Sequence, residues 1–229
     1  GAATAREVAA AGWDVCLTYR TERETAEELV RSIQESGGSA WATACDTGDE
    51  ADIVRVFEEA GARGPITAVV ANAGITAPKS RVADMESDRV RRVLEVNVLG
   101  TLLCCREAVR RMSNRQGGSG GAIVLVSSAA GRLGAPGEYV DYAASKGAVN
   151  TLGVGLAREV ADEGIRVNVV VPGLIATDIH EPGRLDALAP TVPLKRPGSA
   201  EEIAAAIAWL LSDAASYTTG AVLDVTGGR

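Results

Sequence analysis

Tyr142 and Lys146 lie four residues apart in the run Tyr142-Ala143-Ala144-Ser145-Lys146. On a helix this spacing places both on one face, one turn apart. A phenol alone is a poor acid or base near neutrality, because its ordinary pKa is about 10. A cation held beside it favours the phenolate and lowers that value. Such a pair can give a proton to a developing alkoxide or take one from an alcohol. By itself the spacing is weak, because Tyr and Lys at this spacing usually form a solvated helix face, so the surrounding elements must decide. Upstream, the apolar run Ala122–Val126 reads as a buried strand that ends at Ser127 and Ser128. A hydroxyl at such a strand end can hydrogen-bond a substrate oxygen.

Three further stretches share this logic. Asn72-Ala73-Gly74 follows the apolar run Ile66–Val70, and Pro172-Gly173-Leu174-Ile175-Ala176-Thr177 follows Arg166–Val171. Asn97 sits in the apolar stripe of a long helix predicted over 88–112. With these motifs in this order and spacing, nearly the whole chain resembles the short-chain dehydrogenase/reductase family. It is particularly similar to the 3-oxoacyl-carrier-protein reductase and glucose-dehydrogenase-like branches. The resemblance implies catalytic roles for Asn97, Ser128, Tyr142 and Lys146. The spacing from Ser128 to Tyr142 is one residue longer than is usual in the family, which leaves Ser127 as an alternative. Asn97 would hold a water in a proton relay with Lys146, and Lys146 would also bind the nicotinamide ribose.

The remaining cofactor residues follow the same way. Asp46 would face the adenine amino group with Thr47 nearby, although both also suit a helix cap. Asn72, Ala73 and Gly74 would let the adenosine ribose approach the backbone. Ala71 stands where the family usually has Asn. Pro172, Gly173, Ile175 and Thr177 would shape the nicotinamide side. Arg20 stands at the carboxyl end of a strand predicted over 13–19, where ligands bind in open α/β sheets. An Arg there suits a 2′-phosphate, which points to NADP(H) rather than NAD(H). The competing reading pairs Arg20 with Glu22 or Glu24.

A length of 229 residues suits one α/β domain. Hydrophobic residues make up 46% and aromatic residues only 3%, so the core is aliphatic. The net charge of −7 argues against nucleic acid or an anionic membrane as the main partner. The four cysteines have no metal-ligand spacing and read as buried free thiols in a reducing cytoplasm. No run has the ~20 apolar residues of a membrane span.

Further helices are predicted over 21–36, 50–62, 139–163 and 200–211, with strands over 40–45 and 221–225. Thr21 and Glu24 suggest a capping box for the first of these helices. The expected fold is a Rossmann-type, doubly wound, mostly parallel sheet in a three-layer α/β/α sandwich, a single domain over 1–229. By the resemblance, Gly1 is the last glycine of a T-G-x-x-x-G-x-G turn, and the native protein is expected to carry the strand and glycines before it. The segment 179–192, with His180, is expected to form a substrate lid. The small-residue face of the helix bearing Tyr142 and Lys146 (Ala143, Gly147, Val149, Leu152 and Gly155) suits packing against a second copy, and the family commonly forms tetramers through this helix and the one over 88–112. Together these readings imply NADP(H)-dependent hydride transfer between nicotinamide and a small carbonyl/alcohol pair. A sugar or polyol dehydrogenase and a non-catalytic redox sensor are the alternatives.

Overall fold

The computed structural model describes residues 1–177 and 183–229. Strands and helices alternate along it. The strands are β1 (Asp14–Tyr19), β2 (Ser39–Ala44), β3 (Ala68–Ala71), β4 (Gly121–Val126), β5 (Ile165–Pro172) and β6 (Val222–Val225). The helices are α1 (Ala2–Ala10), α2 (Arg23–Glu35), α3 (Glu50–Gly61), α4 (Ser87–Leu94), α5 (Thr101–Met112), α6 (Ala130–Leu133), α7 (Val140–Val160), α8 (Arg184–Leu188) and α9 (Ala200–Leu211). Every strand pairing is parallel.

Successive side chains of a strand point to opposite faces, and β4 shows what that does here. Ile123 and Leu125 enter one core with Phe57 of α3, Met112 of α5 and Val149 of α7. Ala122 and Val124 enter another with Val8 of α1 and Ile207 and Leu210 of α9. Buried on both faces, β4 reads as a continuous apolar run, as a covered parallel sheet requires, and β5 does so apart from Arg166 and Asn168. The layers are therefore helix, sheet, helix.

The sheet is divided. β1 pairs with β2, and a separate four-stranded sheet runs β3-β4-β5-β6. Between β1 and β3 lies a cavity of about 790 Å³, lined by Val15, Leu17, Ala68 and Val70 among others. α1 joins the halves: Ala5 and Ala9 pack with Ile33 and Ala40, while Val8 packs with α9.

Several local expectations need correction. The capping box at Thr21 does not form. Glu22 flanks α2 without a side-chain cap, and the Thr21 hydroxyl donates to the Glu22 carboxylate instead, at 3.3 Å. Neither Asp46 nor Thr47 caps α3. That role falls to Asp49, whose carboxylate accepts from the Ala51 amide at 2.8 Å. The helix predicted over 88–112 is continuous but contains a π-helical segment, Glu95–Gly100, between α4 and α5. Such segments often mark functional positions, and Asn97 lies inside this one. His180 lies outside the described residues.

Candidate active site

The loops leaving the carboxyl ends of β3, β4 and β5 meet over a cavity of about 690 Å³. Strand ends in a parallel sheet present side chains and free backbone groups at one edge, so chemistry collects there. Asn97, fully buried, fixes the first loop. Its Oδ1 accepts from the Ile75 amide at 2.8 Å, and its Nδ2 donates to the Ile75 carbonyl at 2.9 Å and to Ser145 Oγ at 3.0 Å. The Asn97 carbonyl accepts from the Thr101 hydroxyl at 2.8 Å. Gly74 follows from this clamp, since a Cβ there would lie 3.2 Å from Lys146 Nζ and 3.4 Å from Asn97 Oδ1.

The two serines after β4 have different fates. Ser127 is buried and donates to the Lys146 carbonyl at 2.9 Å, tying β4 to α7. Ser128 lines the cavity with Tyr142, and its Oγ accepts from the Ala130 amide at 3.2 Å. Lys146 stands 5.7 Å from the Tyr142 ring centre and donates to the Val126 carbonyl at 2.8 Å. One end of α7 thus holds Ser128, Tyr142 and Lys146 together. The longer connection from Ser128 to Tyr142 folds as α6 and a turn in which Gly134, Ala135 and Gly137 take positive φ.

Burial sets the protonation of this group. It raises the Tyr142 phenol above its ordinary value, partly offset by the nearby Ser128 hydroxyl. It also lowers the Lys146 ammonium to about 8. The expected downward shift of Tyr142 by its cation is therefore corrected: desolvation of a nearly enclosed phenol outweighs it.

Two features of this end have no single-residue sequence signal. Ser145 joins Asn97 to the Tyr142 carbonyl, donating to the latter at 2.7 Å. Asp141, only 3% exposed, accepts from Arg89 at 2.9 and 3.3 Å and from the Tyr142 amide at 2.9 Å. Ion pairs between α4 and α7 depend on tertiary packing, which a helical period cannot report.

The site continues toward β1 and β2. Asn72, Ala73 and Gly74 are exposed beside the N-terminal end of α1, where Gly1 precedes the helix with no side-chain cap. Unpaired amides at a helix start favour an anion such as a pyrophosphate. Asp46 is held by Arg92, at 2.6 and 2.8 Å, and by the Gly48 amide at 2.9 Å. Burial opposes its ionisation, but these partners hold its carboxyl below the usual range. Arg92 is a residue the sequence reading missed. Arg20, exposed at the end of β1, lies close enough to Asp46 to act on its charge. Thr47 sits against the π segment: a Cβ on Gly100 would come 2.1 Å from its carbonyl oxygen. On the other side, Gly173 brings β5 against Thr226, where a Cβ would meet backbone at 2.7 Å. Pro172 lies beside it in the cavity wall. Ile175 bridges to Gly198, and Thr177 is exposed at the cavity. The exposed backbone at Asn72 to Gly74, beside the start of α1, fits a dinucleotide.

A family model described as enoyl-(acyl carrier protein) reductase matches residues 1–229. The chain belongs to the short-chain dehydrogenase/reductase family. An uncharacterized oxidoreductase, YgfF, of Escherichia coli (strain K12) is 50% identical over 234 residues, spanning 100% of this chain and 95% of that protein. A 3beta-hydroxysteroid dehydrogenase of Eggerthella lenta is 39% identical, over 100% of this chain and 88% of that one. Among solved structures, a blue fluorescent protein from a metagenomic library, in complex with NADPH, superposes with a TM-score of 0.91 at 32% identity, covering 100% and 92% of the two chains. As a short-chain dehydrogenase/reductase, the protein is an oxidoreductase acting on CH–OH and C=O groups with a nicotinamide cofactor. No helix among the described residues is long and apolar enough to cross a membrane.

Proposed function

We propose that this enzyme is an NADP(H)-dependent reductase of small ketones, 3-oxoacyl compounds among them, and the corresponding secondary-alcohol dehydrogenase. The observation that carries the reading is that Ser128 and Tyr142 line one cavity, with buried Lys146 5.7 Å from the Tyr142 ring centre. The cofactor supplies or accepts the hydride. Ser128 donates a hydrogen bond to the substrate oxygen and orients it. Tyr142 gives that oxygen its proton in reduction and removes it in oxidation. Lys146 holds the ribose hydroxyls and, while charged, favours loss of the Tyr142 proton. Asn97 sets the loop that carries Gly74 and Ile75, and the second lone pair of its Oδ1 is left for a relay water.

Arg20 supports NADP(H), because an exposed guanidinium at that strand end matches a 2′-phosphate. Asp46 and Thr47 flank the adenine, Asn72 to Gly74 the adjoining ribose. Pro172, Gly173, Ile175 and Thr177 border the nicotinamide. The cavity wall at Leu133, Pro136, Leu174 and Leu188 favours a ketone over a polyol. The relative named as a 3beta-hydroxysteroid dehydrogenase supports the same choice. Ala143 and Val149 of the expected packing face turn into the chain's own core, so exposed Ala144, Ala148 and Gly155 of α7, with exposed Leu94, Leu99 and Leu102, take their place as the face that suits a homotetramer. We place the enzyme in the cytoplasm, in keeping with its four free cysteines.

The test is oxidation of NADPH, with NADH in parallel, against 3-oxoacyl thioesters, diketones, cyclic ketones and sugars. Turnover of ketones with NADPH is the expected result. Equal use of NADH would refute the role of Arg20. Turnover confined to sugars would refute the substrate class.

A further inference from the structure

The segment after β6 folds back so that Arg229 joins the wall of the cavity that holds Ser128 and Tyr142. Three ties bring it there. The Gly173 amide donates to the Val225 carbonyl at 3.1 Å, which lays the end of β6 beside the loop after β5. Gly227 and Gly228 then turn the chain at φ of 66° and 92°, values that suit glycine, and the Gly227 carbonyl accepts from the Leu194 amide at 3.1 Å. Arg132 of α6 completes the hold. Its Nη1 donates to both Asp224 carboxylate oxygens, at 2.9 and 2.7 Å, and its Nη2 donates to the main-chain oxygen of Arg229 at 3.1 Å. Arg132 lies four residues after Ser128, so one short stretch carries both the candidate hydroxyl and the anchor of Arg229. That sets Arg229 on the Ser128 side of the cavity, not at the start of α1 where a pyrophosphate is expected.

Among the described residues the charges of this wall do not balance. One carboxylate, that of Glu138, stands against Lys146, Arg184 and Arg229. Glu138 accepts from Arg184 at 3.0 and 2.7 Å. Lys146 is buried and donates to the Val126 carbonyl at 2.8 Å. The Arg229 guanidinium has no carboxylate partner among the described residues, although its main chain is held firmly. A guanidinium presents a planar fork of donors that matches a carboxylate. The neighbouring wall is apolar at Leu133, Leu174 and Leu188. A ligand lying on that wall would exclude water from the contact, which makes a charge-assisted hydrogen bond stronger than a surface ion pair.

We propose that Arg229 is a specificity residue whose guanidinium receives a carboxylate carried by the ketone substrate. The enzyme then favours keto acids and hydroxy acids over neutral ketones and alcohols of the same size. The carboxylate passes unchanged through the hydride step. The inference rests on the reading of the cavity as the ketone site and narrows that site to anionic substrates.

The test uses the full chain with NADPH and keto acids of increasing length, each against its methyl ester. Wild type should favour the acid roughly tenfold in kcat/KM at the best length, the scale of one hydrogen bond to a charged group. Arg229 belongs to no core cluster, so its variants keep the fold. Arg229→Gln should remove the preference through KM, with kcat changing less and the ester unaffected. Arg229→Glu should favour the ester, and Arg229→Lys should recover part of the preference for the acid. Added salt should raise KM for the acid and not for the ester. Equal treatment of acid and ester by wild type at every length, or equal losses on both in Arg229→Gln, would overturn the proposal. So would weaker NADPH binding in Arg229→Gln, which would assign the cation to the cofactor. A second readout needs no turnover: the matching saturated carboxylate, which lacks the ketone, should bind the NADPH complex in calorimetry and lose that binding in Arg229→Gln. Reduction of neither acid nor ester by wild type would count against the proposed function, while the calorimetric result would still decide whether Arg229 receives a carboxylate.

Discussion

The two ends of the proposed cofactor groove are built on opposite principles. At the proposed catalytic end, above the four-stranded sheet, the candidate groups are buried and locked. Asn97, Ser145 and Lys146 are at most 4% exposed, and each hydrogen-bonds the protein itself. At the other end, above β1 and β2, Arg20 is exposed and Asp46 sits in a surface ion pair with Arg92. The contrast follows from the tasks. Proton transfer needs fixed distances and tuned pKa values, which burial provides. Holding a charged nucleotide needs a cation that stays solvated until its partner arrives.

The largest break in this comparison should come from Lys146→Leu. The proposed turnover should fall by at least ~10²-fold, the usual scale of lost acid–base help. Stability should move the other way, rising by about 1–2 kcal/mol at neutral pH, because a buried charge is replaced by an apolar side chain. The pH dependence follows from the lowered value. Below about 8 the ammonium is charged in both folded and unfolded states, and its burial costs stability in full. Between about 8 and 10.5 the folded protein sheds this proton while the unfolded chain keeps it. Wild type should therefore gain stability across that window, as read by urea unfolding, and Lys146→Leu should lose this gain. A wild-type curve flat over the same range would show that Lys146 is not buried as a cation.

Asn97→Ala comes next. It strips the Ile75 amide and carbonyl of their partner and leaves Ser145 one bond short. The expected loss is about 2–3 kcal/mol, since buried polar groups without partners are costly. A loss under about 1 kcal/mol would mean that water replaces the side chain. The smallest of the three is Arg20→Ala, at the solvated end. It should weaken NADPH binding about tenfold, roughly 1.4 kcal/mol, and leave NADH binding and folding stability unchanged. Equal losses with both cofactors would erase the distinction between the two ends.

The same contrast governs what could be read from the sequence. The grouping of the candidate residues at one end was legible because they sit at strand ends and helical spacings that leave a pattern: Ser128 after an apolar run, Tyr142 and Lys146 one turn apart, Asn97 in an apolar stripe. The three-layer fold was legible for the same reason, through alternating strand and helix runs. What escaped depends on distant contacts. Arg92 reaches Asp46 across 46 positions of sequence, and Arg89 reaches Asp141 across 52. The helix cap at Asp49 was misplaced by three residues, because Asp46 was spent on Arg92 and on Gly48. The direction of the Tyr142 shift was also missed, because a spacing motif shows the neighbouring cation and not the degree of enclosure.

The most direct measurement of the central claim is single-turnover hydride transfer from NADPH to a reduced ketone by Tyr142→Phe, with NADPH affinity measured on the same sample. The account predicts unchanged affinity and a rate about 10²–10⁴-fold below wild type, because only the proton donor beside Ser128 and Lys146 has been removed. A rate close to wild type at full cofactor occupancy would contradict it, and would move the proton source away from Tyr142.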